Sequence, residues 1–107
     1  MIIGKAVLDP QRSEAIMGSA QMRMLFESVK LELTNALAAH GEFSTMHEAY
    51  AVTLEELDEL KGLVFSRGRE YRDYTEMQRE SIQVAAMAIK TMLFCEKMRE
   101  YLNTQDL

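Results

Sequence analysis

A single cysteine, Cys95, leaves no partner for an intramolecular disulfide. With one proline and five glycines in 107 residues, and 48% hydrophobic residues, the composition is that of a globular chain and not a disordered one. No apolar run approaches the ~18 residues of a membrane span, and the opening MIIGKAVLDP is too soon interrupted for a signal peptide, so a cytoplasmic protein without membrane contacts is expected. Positive charge is also scarce. Twelve Lys and Arg against seventeen Asp and Glu give a net charge of -5, which argues against a nucleic-acid binder, because phosphate backbones demand a basic surface. Strand alternation is missing throughout. At this length the chain reads as one domain spanning residues 1–107.

Helical periodicity fills the space. Residues 1–12 read as an arm closed by Pro10, either disordered or added to a neighbouring subunit. A first helix is expected from about Ser13 to Ala39, with Met22, Leu25, Phe26, Val29, Leu33, Ala36 and Leu37 on one face; Gly41 suits its left-handed end. Phe26 and Met22 are read as core. A second helix is capped by Thr45, with Glu48 reaching back, and stops at Gly62 or continues to Phe65. Met46, Ala49, Tyr50, Leu57, Leu60 and Val64 define its main expected buried face. A third helix runs from about Thr75 to Leu102, with Val84, Met87, Thr91, Phe94 and Met98 inward and Tyr101 at the edge. The fold class is therefore all-α, a helical bundle of three main helices. Long helices with broad apolar faces and nine methionines point to completion by a homo-oligomer, dimer or tetramer.

The acidic residues do not all sit where solvent would be. Glu56 and Glu59 share a stripe with Val52 and Leu63, and Glu80 lies in the middle of the apolar face of the third helix, with Gln83 one turn on. An i, i+3 spacing points two side chains the same way. A carboxylate buried without a partner is costly, and pairing or metal coordination is the remedy. Two such turns facing each other make a set of hard oxygen ligands suited to Mg²⁺ or Mn²⁺. His-Glu-x-x-His and Glu-x-x-His are both absent, which removes zinc-protease and di-iron chemistry.

The stretch Glu55-Glu56-Leu57-Asp58-Glu59, an EExxE pattern followed some twenty residues later by Glu80-x-x-Gln83, resembles the signature of the MazG-like all-α nucleotide pyrophosphohydrolases. HEAYAVTLEELDEL with ESIQVAAMAIKTM is similar to their small phage-type and archaeal members, over about residues 44–93. The resemblance implies an oligomeric bundle that binds Mg²⁺, or Mn²⁺, and cleaves a nucleoside triphosphate to the monophosphate and pyrophosphate. It carries metal-ligand roles onto Glu56, Glu59 and Glu80. Gln83 stands where the family has Asp; its carbonyl still ligates a hard cation but adds no charge. Under this reading Glu55 is the candidate to orient water, and Lys90, Arg67, Arg69 and Arg72 are candidates for the phosphates. Tyr71 and Tyr74 are available for base stacking. The alternative is a catalytically weakened or inactive relative that binds nucleotide or protein.

Overall fold

The computed structural model describes residues 9–66 and 72–105, and these are all-helical. There are four helices among them: α1 (Pro10–Met17), α2 (Ala20–His40), α3 (Met46–Phe65) and α4 (Tyr74–Gln105). The expected single helix over 13–39 is thus two, and the count of three main helices is corrected to four. The break is local chemistry at Gly18-Ser19. Gly18 closes α1, its N–H donating to the Glu14 carbonyl at 2.9 Å, and the Ser19 hydroxyl accepts from the Met22 N–H at 3.2 Å to start α2. Asp9 caps α1 by accepting from the Arg12 N–H at 2.8 Å, with Pro10 in the first turn, where its missing N–H costs nothing.

α2 ends as the sequence implies. Gly41 has φ 70°, and its N–H donates to the Leu37 carbonyl at 2.8 Å. The start of α3 is a capping box shifted by one residue. Thr45 Oγ1 accepts from the Glu48 N–H at 3.0 Å, while Glu48 reaches past the cap to accept from the Ser44 N–H at 2.7 Å. Thr45→Ala is expected to cost about 1 kcal/mol in chemical denaturation, with an unchanged denaturant slope. α3 passes through Gly62 and reaches Phe65. At the other connection, Asp73 Oδ1 accepts from the Glu76 N–H at 3.1 Å and fixes the start of α4.

α4 is the central element, with α3 and α2 both packed on it and α1 touching α2 alone. The core is small: Phe43, Ala49, Ala86, Met87 and Phe94, with Val29, Leu33, Ala36 and Val52 packed around it. Ala49 and Ala86 are wholly buried, which lets α3 and α4 approach closely. The hydroxyls of Thr53 and Thr91 meet at 3.5 Å across the same seam.

Three expectations about faces are corrected. On α4, Met98 is exposed and not inward, and Tyr101 beyond it is exposed as well. Phe26 is exposed on α2 and is not core. On α3, Ala49 is buried and Leu60 and Val64 are half-buried, as expected, but Met46, Tyr50 and Leu57 are exposed. The inward face is rotated toward Val52, Glu56 and Leu63, all half-buried. The helix is apolar on two sides, and only one of them fits against α4. No helix among the described residues is long and apolar enough to cross a membrane.

Candidate metal site

The rotation of α3 that exposes Tyr50 turns Glu56 toward α4. Glu59 follows one turn later on the same side and remains exposed, while Glu80 comes in from the first third of α4. One carboxylate oxygen from each of Glu56, Glu59 and Glu80 lies within 4.8 Å of the others. Glu76, one turn before Glu80, is not part of this cluster and pairs with Arg79. Gln83 is half-buried one turn beyond Glu80 on α4.

The electrostatics of the three acids are unfavourable as they stand. Oε2 of Glu56 and Oε2 of Glu80 are shielded from solvent and have no hydrogen-bond partner. Burial, followed by the negative charges of Glu59 and Glu55, holds Glu56 above the ordinary carboxylate range. Glu80 is pushed up to about 7, first by burial, then by hydrogen bonding of its protonated form to Glu59, and then by the charges of Glu59 and Glu56. Three acids within one small volume, two of them with orphaned buried oxygens, call for a compensating positive charge. The donor set fits a hard divalent ion. Ligand atoms around Mg²⁺ lie within about 4.2 Å of one another given ~2.1 Å bonds, so side-chain movement of under ~1 Å would close this one.

Glu56 also forms part of the wall of a cavity of about 520 Å³, in the size range of small-molecule sites. α2 contributes Glu32 and Asn35, the α2–α3 connection contributes Phe43, α3 contributes Glu55 and Glu56, and α4 contributes Lys90. Lys90 is 5% exposed, and its Nζ sits 4.2 Å from the centre of the Phe43 ring. That contact sets the ammonium group over an aromatic face at the edge of the core. Lys90 is the one Lys or Arg among the lining residues, the rest of the charged wall being acidic.

The structure thus brings together Glu56, Glu59 and Glu80, and sets Glu55 and Lys90 on a cavity that adjoins them. Tyr74 is exposed at the start of α4 and does not line that cavity. Arg72 is half-buried just before α4, with its Nε shielded and without a partner. Arg67, Arg69 and Tyr71 lie outside the described residues. Among the wall residues that escaped the reading of the sequence are Glu32 and Phe43. Glu32, one turn before Ala36, carried a signal, since an acid at the edge of an apolar helical stripe is the pattern that marked Glu56. Phe43 carried none, being one residue in a short connection. Comparisons with protein-family models, with curated proteins and with solved structures gave no match.

Proposed function

We propose that this chain is a divalent-cation-dependent nucleoside triphosphate pyrophosphohydrolase of the MazG-like kind, cytoplasmic and assembled as a homo-oligomer, dimer or tetramer. The observation that carries the reading is the meeting of Glu56, Glu59 and Glu80 from the two motif segments, with two shielded carboxylate oxygens left without partners. The resemblance in the sequence names the same three residues.

In this reading Glu56, Glu59 and Glu80 hold Mg²⁺ or Mn²⁺, with the Gln83 carbonyl as an uncharged neighbour. When bound, such an ion offsets phosphate charge and acidifies an attacking water. Hydrolysis forms a bond from water oxygen to the α-phosphorus and breaks the bond from that phosphorus to the α,β-bridging oxygen, releasing pyrophosphate. Glu55, exposed at the cavity wall beside Glu56, takes the proton from that water. Lys90 supplies fixed positive charge from the buried side of the cavity, where low dielectric strengthens its pull on a phosphate. Arg72 is the next source of positive charge.

The test is pyrophosphate release from a panel of ribo- and deoxyribonucleoside triphosphates with Mg²⁺ or Mn²⁺. Release is expected to depend on the metal and to fall by about 100-fold or more in Glu56→Ala, the loss of several kcal/mol of transition-state stabilisation. A folded wild-type protein that releases nothing across the panel would overturn the enzyme and favour the alternative, a nucleotide- or protein-binding relative for which Gln83 marks lost chemistry.

A further inference from the structure

The cavity beside Glu56 has a wall that the metal and the phosphates do not use. It is made by Glu32, Asn35, Ala36, Ala39 and His40 of α2, at spacings of three, one, three and one. At 100° per residue these occupy one arc of about 140°, so a single face of α2 looks into the cavity. The positive charge of Lys90 comes from α4, and the three-acid group comes from α3 and α4.

Glu32 is half-buried and has no ion-pair partner among the described residues. It stands outside the group of acids whose oxygens gather within 4.8 Å, yet its negative charge reaches Glu56. Other acids of the wall are already engaged. Glu48 accepts from the Ser44 N–H, and Glu55 and Glu56 serve the water and the metal. A carboxylate placed like Glu32 repels phosphate and attracts hydrogen-bond donors.

Lys90 fixes which part of a nucleotide comes to that wall. It is 5% exposed, lines the same cavity and has no ion-pair partner among the described residues. A buried ammonium group without a counter-ion calls for an anion from outside. With the phosphates drawn to the metal and to Lys90, both on the α3–α4 side, the nucleoside is left to α2. Its sugar adjoins the α-phosphate, and Glu32 is the α2 residue whose charge reaches a metal ligand. Asn35 stands about 4.5 Å farther along the helix axis, and the small side chains of Ala36 and Ala39 leave room beside it for a flat ring.

We infer that Glu32 accepts hydrogen bonds from the ribose hydroxyls, so that the cavity takes ribonucleoside in preference to deoxyribonucleoside triphosphates. Two adjacent hydroxyls match the two oxygens of one carboxylate, and dinucleotide-binding folds likewise hold the ribose 2′-hydroxyl with an acidic side chain. A site built to bond a hydroxyl rejects the analogue that lacks it. Asn35, with donor and acceptor on one amide, meets the edge of the base. The inference rests on the reading of this site as one for a nucleoside triphosphate.

The test is titration calorimetry with Mg²⁺ and α,β-methylene analogues of ribonucleoside triphosphates and their 2′-deoxy counterparts, which cannot be cleaved at that bridge. The best-bound ribonucleotide is expected to bind tighter than its deoxy counterpart by about 10-fold or more. Glu32→Ala should bring the ratio to within ~3-fold of one by weakening the ribonucleotide, and alanine, the best helix former, keeps α2 intact. Glu32→Gln, which preserves the shape, should narrow the ratio as well. Relieving Glu56 of a neighbouring charge would alter metal binding for both sugars alike, so a purely electrostatic role leaves the ratio unmoved. Equal binding of the two sugars, tighter binding of the deoxy form, or a ratio that both variants leave intact would overturn the inference. No binding of any analogue would overturn it together with the nucleotide reading. A ribose preference that Glu32→Ala abolishes, without pyrophosphate release from natural triphosphates, would count against the enzyme and leave the sugar assignment standing.

Discussion

Replacing Glu80 by glutamine is expected to stabilise the metal-free protein at neutral pH while reducing metal-dependent pyrophosphate release by about 100-fold or more. Both effects come from one fact. Glu80 is held at about 7, against an ordinary value of 4.5, by burial and by the company of Glu59 and Glu56. Between those values the folded chain keeps a proton that the unfolded chain has released. Its contribution to stability is therefore complete below about 4.5 and is lost as pH rises through 7. The metal-free protein should lose about 1–2 kcal/mol across that window, after discounting for solvent screening at the exposed Glu59. A glutamine carries no charge at any pH, so the Glu80→Gln protein should show a shallower profile there, the remaining slope coming from Glu56, which burial and the charges of Glu59 and Glu55 still hold above the ordinary range. Denaturation midpoints at pH 5 and pH 8, with chelator present, measure the difference. Saturating Mg²⁺ at pH 8 should restore the wild type and do nothing for the variant, since an ion that binds only the folded state stabilises by mass action, about 2.7 kcal/mol at one hundred times its Kd.

The second large effect is structural. Phe43→Ala is expected to cost about 3–5 kcal/mol, the usual toll for emptying an aromatic site. Phe43 is 3% exposed and is the one residue of the α2–α3 connection in the core. In a chain of this length each kcal/mol moves the melting temperature by about 4–8 °C, so a drop of more than ~12 °C is expected. The ring also seats Lys90. Phe43→Leu keeps most of the volume and should be milder, at about 1–1.5 kcal/mol, while still removing the aromatic face under the ammonium group. If Lys90 serves the phosphates, Phe43→Leu should raise the KM for triphosphate while leaving metal affinity unchanged. That split would not follow from a general loosening of the fold.

Much of this architecture is legible in the sequence, and where it is not the reasons are physical. α3 announces itself because a capping residue, Thr45, and an acid three positions on, Glu48, coincide with the onset of apolar periodicity; α4 is legible from its apolar periodicity, while its cap at Asp73 is not. The division of α1 from α2 is masked because 3.6-residue periodicity runs through Gly18-Ser19; only the cap chemistry of those two residues reveals it. The orientation of α3 is ambiguous from one chain alone, because Tyr50 and Leu57 are as apolar as Leu60 and Leu63. A helix with two apolar faces does not say which of them meets its own chain. The acidic site is the most legible part, since Glu56, Glu59 and Glu80 stand out as carboxylates on stripes that apolar residues otherwise own. The same spacing rule would also have admitted Glu76, which the structure leaves outside the cluster and pairs with Arg79. Lys90 could be placed near the site from its position on α4. Its burial depends on Phe43, whose role belongs to tertiary packing and to no local pattern.

The account turns on a cation held between α3 and α4, and Mn²⁺ binding followed by electron paramagnetic resonance, without nucleotide, tests it most directly. Wild-type protein is expected to remove Mn²⁺ from solution at pH 8, to give it up to Mg²⁺, and to lose this capacity in Glu80→Gln while remaining folded. Mn²⁺ that stays free in solution, or binding that Glu80→Gln leaves unchanged, would contradict the central claim.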